Sequence, residues 1–306
     1  NSGSADLTLD QSGSTFGTLA ITGANVAVTE NAAMDLGAST ISGTASFNSS
    51  NNPITDSGTL AITGVTTLNS GSADLTLDEA ASTFGTLAIT GANVAGTENA
   101  AMALGASTIS GTASFNSTSN AITDNGTLVI TGATTLNSGS ADITLNEAAS
   151  TFGTLAITGT NVAVTENAAM DLGASTISGT ASFNSSNNAI TDSGTLAITG
   201  VTTLNSGSAD LTLDEAASTF GALAITGANV AVTENAAMDL GASTISGTAS
   251  FNSTSNAITD SGTLAITGVT TINSGSADLT LNEASSTFGT LVLTGANVAV
   301  TDAGAA

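Results

Sequence analysis

The sequence predicts an all-β protein, a single-stranded parallel β-helix or β-solenoid, from three observations. A 68-residue unit recurs without insertion or deletion, a shorter glycine-punctuated period lies inside it, and apolar residues alternate with small polar ones through every unit.

The long repeat comes first because internal repetition decides the fold. Asn-Ser-Gly-Ser-Ala-Asp opens at Asn1, Asn69, Asn137, Asn205 and Asn273. The 306 residues are thus about four and a half copies, read as one continuous β-solenoid over 1–306 with no separate domains. Inside each copy, Ile-Thr/Ser-Gly recurs with its glycine at Gly23, Gly43, Gly64 and Gly91, and so on through Gly268, with Leu-Thr-Gly closing the series at Gly295. The intervals run 20, 21 and 27 residues, and these are taken as coils. Counted from these glycines, Met34, Ile54 and Leu75 share one slot, and Ala27, Phe47 and Leu68 share another.

The alternation Leu60/Ile62 and Leu75/Leu77 has the two-residue period of a half-buried strand. Thr, Val and Ile favour strands, and Gly, Asn, Asp and Ser between the runs supply turns. Pro53 stands where later copies have Ala, so the turn before Ile54 is expected to face outward and to need no N–H. Units of about 20 residues with two or three short strands suit a parallel coil whose strands stack about 4.8 Å apart. The crossover rule favours right-handed coiling. The surplus of the third unit, Asp78 to Phe84, is expected to bulge from a corner with Phe84 folded back as a plug. Thirteen such coils make a rod on the order of 60 Å long.

Composition narrows the function. The chain has no Lys, Arg, His, Cys, Trp or Tyr, and 24 acids set its net charge at −24. Zinc fingers, thiol nucleophiles, Ser-His-Asp triads and disulfide frameworks are excluded by residue type alone. An acidic chain is repelled by nucleic acid and anionic lipid, so neither is expected as a partner. Disorder is the rival reading, but 41% of residues are apolar, at fixed places. No run of 18 apolar residues predicts a membrane helix, and no basic start predicts a secretory signal. The opening inside a repeat reads as a mature product or an excised segment. Neither Asn1 nor the closing Asp-Ala-Gly-Ala-Ala reads as a cap for the open sheet edge.

The coils TLAITGANVAVTENAAMDLG and ASTISGTASFNSSNNAITDSG resemble the repeat regions of large bacterial surface proteins of the filamentous-haemagglutinin and autotransporter kind. The resemblance implies a parallel β-helical stalk. The chain departs from that pattern in its complete lack of basic residues and in its strict superrepeat.

The phenylalanines at Phe16, Phe84, Phe152, Phe220 and Phe288, and at Phe47, Phe115, Phe183 and Phe251, are expected in the core, as are Met34, Met102, Met170 and Met238. Asp35, Asp56, Asp78 and Glu79 fall at similar distances past successive glycines, so stacking would bring them to one corner. With no base to neutralise them, Ca²⁺ or another divalent cation is the one cofactor the sequence suggests. The competing reading is an acidic, soluble face that keeps rods apart. Ala103 in place of Asp35, and Asn146 and Asn282 in place of Asp78, count against the metal. A glycosidase carboxylate pair has no cleft-forming insertion to house it. Threonine rows suit exposed strands and are not kept on one face as ice binding requires. Asn48, Asn116, Asn184 and Asn252 open Asn-x-Ser/Thr triplets on one line of the rod, where glycans would attach.

The expectation is a structural repeat protein without catalytic activity. It would form an extracellular or cell-surface filament or stalk, with copies of itself as end-to-end or lateral partners. The shaft of an adhesin whose tip lies elsewhere is the alternative, followed by a Ca²⁺- or ice-binding solenoid. A chain lacking Lys and Arg offers no trypsin-type cleavage site, as suits a durable fibre.

Overall fold

A computed structural model describes residues 1–303; the last three residues of the closing segment lie outside it. Residues 1–153 and 154–306 form two compact units. Each is a parallel β-solenoid, and the described residues contain no helix.

In the first unit, Ala45–Asn48 lies in parallel register between Val26–Thr29 and the long strand Leu60–Asn69, which stacks Val28, Phe47 and Leu68. Met34, Ile54 and Leu75 stack in the same way, as their shared slot predicts. The first coil is one residue shorter than the glycine count implies. Val28 therefore lies beneath Phe47, and Ala27 faces outward opposite Ser46. In the second unit Val164, Phe183 and Leu204 repeat the stack.

The strands form here because each carries inward residues at period two. Val26–Thr29, Met34–Leu36 and Leu75–Leu77 alternate buried with half-exposed residues. The interior is a column of Leu, Ile, Val, Met and Phe touching only neighbouring coils. Phe47, Phe115, Phe183 and Phe251 are buried in it, and Phe84, Phe152 and Phe220 plug the insertion corner, but Phe16 and Phe288, also expected in the core, are only half-buried because fewer coils cover them. Pro53 is exposed, and its carbonyl accepts the Met34 N–H.

Two turn types close the corners. In Asn69-Ser70-Gly71-Ser72, Gly71 has φ +60°, the Asn69 Oδ1 accepts the Gly71 N–H at 3.0 Å, and the Ser70 Oγ donates to the Ala73 carbonyl at 2.8 Å. In the turn after Phe47, Ser50 and Asn51 both take positive φ, a conformation that costs a non-glycine residue energy. The Asn48 Oδ1 steadies that turn by accepting the Ser50 N–H at 3.0 Å.

The 27-residue interval is a coil of 21 residues followed by a change of side. The Gly64 N–H donates to the Gly43 carbonyl at 2.9 Å. The next member of that stack is Gly85, whose added Cβ would meet the Gly64 carbonyl oxygen at 2.8 Å. A second stack, Gly111, Gly132 and Gly153, begins over Ala92, next to Gly91, which itself pairs with Ile109. Ladder register locates it: Val26 leads through Ala45 and Thr66 to Leu87, and one step further to Leu104. Val94, the counterpart of Val26 one copy on, falls nearly midway between Leu87 and Leu104. A copy therefore spans about three and a half coils, and consecutive copies within a unit present the same side chains on opposite sides. The second unit repeats the arrangement, with Val230 between Leu223 and Leu240.

One natural substitution tests the core. Gly96 stands beneath Phe115 where the other copies have Val28, Val164 and Val232, all buried. A Cβ there would lie 3.4 Å from the Phe115 ring, an ordinary contact. Gly96→Val restores buried methyls and removes backbone freedom from the unfolded chain, so we expect stabilisation of about 2 kcal/mol, read as a higher urea midpoint.

Candidate functional site

The four acids of the predicted corner divide into two groups. Asp35 pairs with Thr55 in the ladder while Leu36 pairs with Asp56, so Asp35 points outward and Asp56 points inward. The outer oxygen Oδ2 of Asp35 accepts the Thr18 hydroxyl at 2.6 Å. Asp56 is only 8% exposed, and it receives the start of the inserted segment: Oδ1 accepts the Asp78 N–H at 2.9 Å and Oδ2 the Glu79 N–H at 3.4 Å.

Asp56 thus meets Asp78 and Glu79 through their main chain. The same bonds run from Asp124 to Asn146 and Glu147, from Asp192 to Asp214 and Glu215, and from Asp260 to Asn282 and Glu283. Asparagine serves at Asn146 and Asn282 because only the backbone N–H of that residue is used. Burial raises the Asp56 and Asp192 carboxyls; the two backbone N–H groups oppose the rise, and the neighbouring carboxylates add to it. Among the described residues no three acids converge as a cation cage.

A second carboxyl, from the coil above, holds the far end of the insertion. The Glu98 Oε2 accepts the Phe84 N–H at 3.0 Å, and the Glu234 Oε2 accepts the Phe220 N–H at 3.0 Å. The Glu30 Oε2 does the same for Phe16 at 2.7 Å. Glu30, Glu98 and Glu234 have no solvent exposure, and Glu166 has 1%. In Glu30, Glu98 and Glu234 the other oxygen, Oε1, is buried with no hydrogen-bond partner.

Burial pushes Glu98 and Glu234 up to about 8 against the pull of the phenylalanine N–H, and it raises Glu30 in the same way. In Glu98 and Glu234 the acid form therefore prevails at neutral pH, since an ionised carboxyl buried without a cation is costly. Ser82 completes the clamp: its Oγ accepts the Leu60 N–H at 3.0 Å and its carbonyl accepts the Asn99 N–H at 3.2 Å.

The insertion Asp78–Phe84 is therefore an exposed turn at Asp78 to Ala81, pinned by Asp56 from below and Glu98 from above. The bulge and the Phe84 plug agree with the sequence reading. The glutamates were not anticipated, although a signal exists: Val26, Val28 and Glu30 continue one period-two series, which carries Glu30 inward.

Asn48 and Asn69 stack in register, as do Asn116 with Asn137, Asn184 with Asn205, and Asn252 with Asn273. The four asparagines of the glycan triplets are half-buried, and the side-chain oxygen of each accepts an N–H two residues on. Shallow grooves lie beside Phe220, about 330 Å³ and lined by Ile177, Ile198 and Thr199 among others, and beside Phe288, about 410 Å³. What the clamp can do chemically is gain or lose a proton at a carboxyl that holds a loop.

No curated protein and no solved structure matches the chain. A family model described as repeats of unknown function (DUF5649) matches residues 23–90, 91–158, 159–226 and 227–295. In that frame each copy carries an aspartate that holds its own loop, and Glu98 and Glu234 each hold the loop of the copy before. With four consecutive matches covering most of its length, the chain belongs to the family of repeats of unknown function (DUF5649).

Proposed function

We propose that the chain is a non-catalytic structural module that extends an extracellular or cell-surface fibre or stalk, with further copies of itself as partners. The observation that carries this reading is the self-contained coil. Its apolar face is covered by neighbouring coils, and its Asp, Glu, Ser and Asn side chains bond mainly to backbone of the same or the adjacent coil. Stability in such an array grows with coil number, so length is set by repeat count. The lack of Lys, Arg and Cys suits an exposed, protease-resistant fibre, and the likeness to filamentous-haemagglutinin stalks supports a cell-surface placement. A copy presented on alternating sides offers the same surface to neighbours left and right, which favours lateral assembly.

Electron microscopy of the purified chain, with and without millimolar Ca²⁺, tests the reading. Filaments with an axial period near 17 Å or its multiples are expected, from about three and a half coils per copy at about 4.8 Å. Isolated particles at every concentration, in both conditions, would overturn self-assembly. Filaments that require Ca²⁺ would give the acids Asp35, Asp78 and Glu79 a bridging role.

A further inference from the structure

We propose that Glu30, Glu98 and Glu234 are proton-operated latches, and that loss of the proton releases the loop each one holds while the coils above and below stay folded. The geometry has three parts. The carboxyl is fully buried, one oxygen has a single backbone N–H as partner, and the other has none. The loop between the clamps is itself exposed at Asp78, Ala80 and Ala81. Opening it disturbs the corner at Ser82 and Phe84, whereas the strand Ala45–Asn48 keeps both ladder partners.

The groups facing the latch all act in one direction. For Glu98 they are Asp78 and Glu79 on the loop, Asp56 and Asp74 on the coils beneath, and Asp124 above. For Glu234 they are Asp214, Glu215, Asp192 and Asp210, with Asp239 five residues on and Asp260 above. Glu30 has Asp10 on its loop, Asp6 beneath, Asp35 five residues on and Asp56 above. Every one is an acid, and the chain has no Lys, Arg or His to compensate. The proton leaves to solvent, and no other bond changes.

In the closed loop the Glu98 and Glu234 carboxyls hold their proton up to about pH 8; in the open loop they meet water and ionise near 4.5. Closure is therefore fully favoured below about 4.5, weakens as pH rises, and levels off above 8. Loop opening should increase by up to about tenfold per pH unit across that window.

Hydrogen exchange read residue by residue between pH 5 and 8 tests this, with rates corrected for intrinsic base catalysis. Protection of the Phe84 N–H is expected to fall by up to about tenfold per pH unit, and that of the Phe47 N–H by much less. Glu98→Gln keeps an acceptor without the charge, and it should flatten the slope at Phe84 while leaving it at Phe220. A flat Phe84 profile, a slope that survives the substitution, or Phe84 and Phe47 falling together would overturn the proposal. If Glu98→Gln does not fold, the carboxyl ¹³C shift of Glu98 in the unaltered chain decides. A protonated carboxyl at pH 7 is expected; an ionised one beside a still-protected Phe84 N–H would contradict the latch.

Discussion

Replacing Gly85 with alanine should cost about 3 kcal/mol or more. The Cβ would sit 2.1 Å from the Thr63 carbonyl oxygen and 2.8 Å from that of Gly64, both backbone atoms of the coil below. Both are main-chain atoms, so the strain cannot be relieved by a side-chain rotation. Gly64→Ala meets the Gly43 carbonyl oxygen at 2.6 Å and should behave alike. Gly17→Ala is the control, because nothing lies within 4 Å of its added Cβ, and a change of a few tenths of a kcal/mol is expected. Urea midpoints of the three variants make the comparison.

The second large effect is an inverted pH profile. Most proteins lose stability in acid because their paired carboxylates must be protonated. Here Glu98 and Glu234 are raised to about 8 by burial, and Glu30, Asp56 and Asp192 are raised too. The folded state then binds more protons than the unfolded one between about 4.5 and 8. Stability is complete below that window and declines as pH climbs through it, with a slope of up to about 1.4 kcal/mol per pH unit for each buried glutamate. Thermal melts at fixed ionic strength should give a higher Tm at pH 5 than at pH 8, and the double variant Glu98→Gln, Glu234→Gln should remove part of the difference. Relief of the −24 net charge in acid acts in the same direction, so the variants are needed to isolate the latches.

Much of this was legible in the sequence because a solenoid repeats its constraints in every coil. The β class, the Met34/Ile54/Leu75 slot, the Phe47 set, Phe84, Phe152 and Phe220, and the Asp78–Phe84 bulge follow from period and register, whereas Phe16 and Phe288 are only half-buried. Two features were obscured for physical reasons. The glycine stack continues through Gly85, where the local string is Thr-Phe-Gly rather than Ile-Thr-Gly, so a count on the triplet ran on to Gly91 and joined two sides of the coil into one. The acids were read as surface groups because unpaired carboxyls are seldom fully buried. Asp56 goes inward because it follows Ile54 by two, and Glu30 because it follows Val28 by two, and only the folded coils bring up the N–H groups that meet them. Nor does any string announce that Glu98 reaches the Phe84 N–H of the copy before, since that contact depends on the change of side at Gly91.

The alternation of copies is the claim on which the latches between copies and the two-sided presentation both rest. The chain has no cysteine, so spin labels can be placed at will in the first unit. Thr22 and Thr83 lie three ladder steps apart on one row, through Thr40 and Ala61, which puts them roughly 14 Å apart. Thr40 and Thr108 are counterparts in consecutive copies, 68 residues apart. Electron paramagnetic resonance distances on the two doubly labelled chains are the most direct test. The half-coil displacement predicts about 25 Å for Thr40 and Thr108, well beyond the Thr22 and Thr83 pair. Equal distances of roughly 14 Å for both pairs would mean that copies stack on one side, three coils to a repeat, and would contradict the account.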